Sequence, residues 1–309
     1  MSEVLSSFFS RLEARWKSQI GFFYAIISQI SFLIGHSLVQ KSSKHLKSIQ
    51  ILYFIGIQVC TFNYIAMAFD KSSIVCSKSP RTNKMQIARA FLGFLGACFI
   101  LSGLPMMPLS EAIVIQMTTP IFTGLLAISF LNEKYDKTLA LTTIFSFLGV
   151  ILISKPSVIF GENNSAQAFP QRTIGIFITL IGAFVNATTQ IAVKKLGAVS
   201  SANTTAFYFG LGLALGGPLL QFFQGVNSLQ SEDLIWLFLL GISRYISHIF
   251  LNKGYALANA NKVSLMGYVQ VPLAYIIDIF FVGIAVDFYS VLGSACVFSC
   301  LFILLLKNR

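Results

Sequence analysis

Two side chains stand apart in a chain of 309 residues that is 55% apolar and only 11% charged. Arg244 lies eleven residues past Asp233. At 1.5 Å per residue that is roughly 17 Å down a helix, near the middle of a ~30 Å hydrocarbon core. His248 follows one turn later on the same face. A charge at mid-bilayer costs on the order of 2.5 to 3.5 kcal/mol, so it faces the bundle interior and finds a partner. The guanidinium group grips carboxylate or phosphate through paired hydrogen bonds, which makes Arg244 the first candidate for holding an anionic solute. Asp278 is the internal alternative, a permanent ion pair that only holds two helices together. His248 is a candidate proton carrier, although a lone histidine is more often simply hydrogen-bonded. Tyr245, Tyr268, Gln270 and Gln116 are further candidates for orienting a polar solute. The amides of Gln29, Asn186 and Gln190 either line a path or tie helices together. Arg89, about three residues inside its span, is expected to snorkel to the interface.

The elements that position these groups follow from composition. A mean hydropathy of +0.76 is far outside the range of a soluble domain, and a transmembrane helix needs about 20 apolar residues. Candidate spans lie near residues 18–40, 49–69, 86–104, 109–131, 138–155, 173–193, 204–224, 233–252, 262–283 and 287–306. The pattern of the fourth and fifth spans recurs in the ninth and tenth. Pro120 returns as Pro272, and the stretch 139–152 returns as 291–304. Such a period marks a duplicated unit. In a soluble helix Pro120 would cost about 3 kcal/mol. In a membrane bundle a proline break often borders a cavity, and the plain alternative is a bend in a packed span.

Charge fixes the expected orientation. With the N-terminus inside, the inner segments hold Arg11, Arg15, Lys17, Lys71, Lys78, Arg81, Lys84, Lys134, Lys137, Lys194, Lys195, Lys253, Lys262, Lys307 and Arg309. The outer ones hold Lys41, Lys44, Lys47, Lys155 and Arg172. The positive-inside bias places both termini in the cytoplasm. Because five spans is an odd number, the second copy enters the membrane upside down. The domain organisation is therefore an N-terminal interfacial segment at 1–17, a five-helix repeat at 18–155, a linker at 156–172 and a second repeat at 173–309. The first segment sets Leu5, Phe8, Phe9, Leu12 and Trp16 opposite Arg11, Arg15 and Lys17.

Other classes fit less well. The net charge of +11 gathers in loops rather than on an aromatic-laced polar face, which excludes a nucleic-acid binder. The five cysteines fall mostly inside spans, without the spacing of a disulfide framework. His36, His45 and His248 make no metal-spaced set, and Asp278 lacks a Gly-x-Gly-Asp partner, so neither a catalytic centre nor a metal or cofactor is expected. No filter-like repeated loop suggests a channel.

Ser110-Glu111-Ala112, Pro120, Leu131-Asn132-Glu133 and the run from Phe147 to Pro156 together resemble the EamA-type half of the drug/metabolite transporter superfamily. The run from Ser154 to Gly161 is more particularly similar to solute carrier family 35, subgroup G. The resemblance implies an all-α membrane protein of ten transmembrane helices in two inverted five-helix repeats, with helices 1, 3, 4, 6, 8 and 9 around a central cavity and helices 5 and 10 at the periphery. Where the second copy should carry the acid that ends its fourth helix, this chain has Phe281-Val282-Gly283-Ile284-Ala285. Glu133 thus reads as a helix-end or loop-stabilising residue. The implied activity is secondary transport of a small organic solute by alternating access, with an organic anion or phosphorylated metabolite suggested by Arg244. A membrane-embedded enzyme or a non-transporting scaffold is the alternative. The partners are the solute and the bilayer, and a homodimer is compatible with this reading. No address signal separates the plasma membrane from an internal one.

Overall fold

The computed structural model describes residues 2–42, 45–74, 79–103, 106, 109–154, 159, 171–277 and 288–307. All regular structure among them is helical: α1 (Ser2–Ser42), α2 (Ser48–Asp70), α3 (Pro80–Gly103), α4 (Leu109–Gln116), α5 (Thr119–Leu131), α6 (Lys137–Ser154), α7 (Arg172–Leu196), α8 (Ala202–Gln224), α9 (Ser231–Leu257), α10 (Ala260–Leu265), a 3-10 turn (Met266–Val269), α11 (Gln270–Ile277) and α12 (Phe288–Lys307). Among the described residues seven stretches are long and apolar enough to cross a membrane: Trp16–Val39, Ser48–Asp70, Ala112–Leu131, Lys137–Ser154, Arg172–Leu196, Ser231–Leu257 and Phe288–Leu306. The third, seventh and ninth expected spans fall outside this set. The third carries Arg81, Lys84 and Arg89 in its first turns, and the ninth is broken into short pieces.

Residues 2–17 do not form an element of their own. They continue without interruption into a helix of 41 residues, because no glycine or proline precedes Gly21 to break it. On α1 the outward row Phe23, Ile27, Ile30, Ile34 is exposed, as a face covered by lipid should be. The opposite row, Phe22, Ala25 and Gln29, is buried.

The halves interlock rather than sit side by side. α1 packs along α9 and α3 along α7, while α2 pairs with α8 and α6 with α12. The pairing is unchanged when the halves are exchanged. At the α6–α12 seam the reason is local: a Cβ on Gly149 would lie 2.8 Å from the Gly293 carbonyl oxygen, and one on Gly293 would lie 2.6 Å from that of Gly149. Only glycine lets the two backbones approach so closely.

Both recurring prolines open the second piece of a broken span. α4 ends at Gln116, two turn residues follow, and Pro120 sits in the first turn of α5, where its missing N–H costs nothing. Thr118 closes the break by donating Oγ1–H to the Ile115 carbonyl at 2.5 Å. Pro272 likewise lies in the first turn of α11, after the 3-10 turn. Bare propensity would predict two kinked helices; the chain instead restarts each helix at its proline.

Candidate functional site

Serines bring the central residues into register. Along the α1–α9 seam Ser28 donates to the Ser247 carbonyl at 2.8 Å, Ser31 to that of Ser243 at 2.8 Å, and Ser243 back to that of Ser31 at 2.5 Å. Small hydroxyl residues let the helices touch and hydrogen-bond across the seam. Gly35 completes it, since a Cβ there would stand 3.1 Å from both the Arg244 Nε and the Ser243 Oγ. Arg244 is thereby fixed at the centre of α9, 8% exposed. Among the described residues no carboxylate lies within ion-pair distance of it. Asp278, its expected counter-ion, lies outside the described residues.

Around Arg244 an aromatic series crosses the bundle. Its Cζ stands 5.2 Å from the centre of the Phe32 ring. Phe32 meets His248 edge-on at 5.2 Å, and His248 leans on Phe209 with ring centres 4.0 Å apart. The far end of the series is Arg89, whose Cζ is 4.8 Å from the Phe209 ring centre. His248 lies within Coulombic reach of both arginines. The expectation that Arg89 snorkels is overturned: α3 begins at Pro80, so Arg89 sits in its third turn, is 3% exposed, and leaves Nε and one terminal nitrogen without a hydrogen-bond partner. Sequence reasoning missed Arg89, Phe32 and Phe209 as members of this group. Arg81, Thr82, Asn83 and Lys84, ahead of the apolar run, hid the true start of α3.

His36 lies farther along α1. It lies on the Gln29–Phe32 side of α1, opposite the lipid-facing isoleucines, yet it is exposed and within Coulombic reach of Arg244. Its exposed surface lies on the inward stripe of α1, on the Asp233 side of Arg244.

The other candidates are dispersed. Gln270 donates to Gln29, tying α11 to α1, and Thr123 donates to the Gln190 Oε1 at 2.7 Å, tying α5 to α7. The Asn186 amide packs over Gly96 of α3. Tyr245 faces away from His248, edge-on to Phe62 of α2 at 5.8 Å. Tyr268 is fully buried in the apolar core with its hydroxyl unpartnered, and Gln116 is half-buried at the break between α4 and α5.

At the opposite end Glu133 ties the two halves together. Asn132 ends α5 in the left-handed conformation (φ 53°), which turns Glu133 toward the other half. Its Oε1 accepts from the Ala260 N–H at 2.8 Å and its Oε2 from that of Asn261 at 3.2 Å. Those are the first amides of α10, whose N-cap Asn259 makes no side-chain cap of its own. Glu133 is thus a helix-end residue, but for a helix of the other half. Lys194 donates to the Ala258 carbonyl at 2.7 Å alongside. At this end a pocket of about 330 Å³ is walled by Tyr24, Thr205, Asn252 and Lys253, among others. Thr205 and Asn252 stand one turn from Phe209 and His248. Gln86 donates to Thr205 at 3.2 Å and Asn252 to the Ala202 carbonyl at 3.0 Å, and these contacts divide pocket from centre.

The sequence profile of the EamA-like transporter family matches the chain twice, over residues 15–155 and 173–306. This chain belongs to the EamA-like transporter family. Human solute carrier family 35 member G1 is 28% identical over 287 residues, covering 90% of this chain and 76% of its own. The mouse protein of that name is 26% identical over 285 residues with the same coverage. A solved crystal structure shares the fold at a TM-score of 0.77 and 13% identity, over 94% of this chain and 97% of the other. This EamA-like protein is therefore an integral, multi-pass membrane transporter of small solutes. Its seven apolar helices and its relatives agree on that.

Proposed function

We propose that this EamA-like protein is a secondary transporter that carries a small organic anion by alternating access, with Arg244 as the group that holds it. One observation carries the proposal: a guanidinium at the centre of a buried helix with no carboxylate near it among the described residues. Burying a charge that no described carboxylate pairs is costly, and a bound anion would offset that cost. The mutual pairing of helices and the shared placement of Pro120 and Pro272 support two five-helix repeats in inverted orientation, together ten spans. With both termini cytoplasmic, the Glu133 end faces the cytoplasm. The state described here is then closed on that side and open beside His36. Rocking the halves would release Ala260 and Asn261 from Glu133 and part the Gln86–Thr205 contact below the centre. His248, between the two arginines, would orient the solute. A homodimer would leave one such site in each protomer.

Proteoliposome counterflow tests the proposal. A preloaded organic anion should drive saturable uptake of its labelled counterpart, and Arg244→Gln protein that elutes as folded material should lose it. Counterflow of neutral or cationic solutes alone, or full activity in Arg244→Gln, would overturn it.

A further inference from the structure

We infer that Arg89 is a second anion-holding residue and that the transported solute carries two negative charges, one for each arginine on either side of His248. The inference rests on the reading of Arg244 given above and extends it.

Arg89 and Arg244 reach the centre from different halves. Arg89 stands on α3 and Arg244 on α9, and each is under one-tenth exposed. Each lays its guanidinium against a ring that touches the His248 imidazole, Phe209 for Arg89 and Phe32 for Arg244. An aromatic face holds a guanidinium plane in position without using its N–H groups. In Arg89 those groups are left over: Nε and one terminal nitrogen are buried with no acceptor. Among the described residues neither arginine has a carboxylate within ion-pair distance. Tyr255 lies within Coulombic reach of both Arg89 and Glu133. Glu133 itself is engaged with the amides of α10.

Two buried cations with no counter-ion among the described residues repel each other across a medium of low dielectric constant. A solute with one charge would neutralise one of them and leave the other stranded. A solute with two carboxylates, or with a doubly ionised phosphate, neutralises both and supplies acceptors for the idle N–H groups. Because the arginines belong to opposite halves, such a solute also bridges α3 and α9, which must move relative to each other during transport.

The test uses the full-length protein in detergent and in proteoliposomes, at a pH above both carboxyl titrations. The probes are straight-chain dicarboxylates from oxalate to adipate and the monoamide of each, which keeps the shape and removes one charge. Ligand-induced thermal shift gives affinity and counterflow gives transport. The best dicarboxylate should bind about tenfold or more tighter than its monoamide, the worth of one charge-assisted hydrogen bond. In Arg89→Gln that advantage should vanish while monoamide binding persists, which also shows that the variant is folded. Arg89→Lys should retain the preference. If no dicarboxylate of the series outbinds its monoamide, or if Arg89→Gln keeps the advantage, the inference is overturned and Arg244 as an anion site still stands. If binding of either charge class is indifferent to Arg244→Gln, the reading of Arg244 fails first. Should Arg89→Gln fail to fold, the wild-type comparison with the monoamides decides alone.

Discussion

Glu133 and Arg244 are both charges at which the two halves meet, and they are treated in opposite ways. Glu133 sits where a helix begins. The first amides of α10 have no intrahelical acceptors, so its carboxylate finds two donors in the protein itself and the favourable end of a helix dipole. Arg244 sits in the middle of α9, where every backbone carbonyl already serves the next turn. The serines around it spend their hydroxyls on carbonyls of α1 and α9. A charge at a helix end can be satisfied by fold alone, whereas a charge at mid-helix must wait for a side chain or a solute. On the proposed function, one place would be a latch and the other a socket.

Removing the socket's charge should have the largest effect. Arg244→Gln is expected to lower kcat/KM for anion transport on the order of 100-fold, as loss of one member of a buried charge pair does, with little change in melting temperature. A collapse in stability instead, with the residual transport rate per folded molecule unchanged, would make Arg244 a structural residue and erase the contrast.

The latch should respond more weakly and in another observable. Glu133→Gln keeps the shape but loses the charge and one acceptor, worth about 1 kcal/mol at a helix N-terminus. The Glu133 end should therefore open about fivefold more often. In a background without native cysteines, Thr205→Cys would be labelled correspondingly faster by an impermeant maleimide from that side. Unchanged labelling would mean that the Glu133 contact does not hold this end shut.

The smallest effect belongs to the amide seams. Replacing both Gln29 and Gln270 by leucine should change unfolding by about 0.6 kcal/mol, the usual worth of an interhelical amide contact, and leave transport near wild type. A tenfold loss of transport with stability intact would place this pair on the solute path beside Arg244.

Much of this was visible beforehand for simple reasons. Span positions follow from hydropathy because lipid leaves helices few alternatives, and α2, α6, α7 and α12 lie within a few residues of expectation. Arg244 and His248 on one face followed from helical spacing. Arg89 did not, since a charge near the start of an apolar run looks the same whether its helix begins there or two turns earlier. Tyr245 is a sequence candidate for orienting a polar solute, but as the residue after Arg244 it points about 100° away from it around the helix. It looks toward α2.

Composition, hydrophobic runs and the recurrence of a proline-marked pattern sufficed to determine a duplicated helical membrane protein with an arginine buried at mid-span. Each of those features is local, and lipid enforces them segment by segment. The partners of each charge were decided only by tertiary structure. Which backbone amides Glu133 reaches, and that Phe209 and Phe32 carry Arg89 and Arg244 to the same histidine, depend on contacts between residues far apart in the chain, and no helical period encodes those.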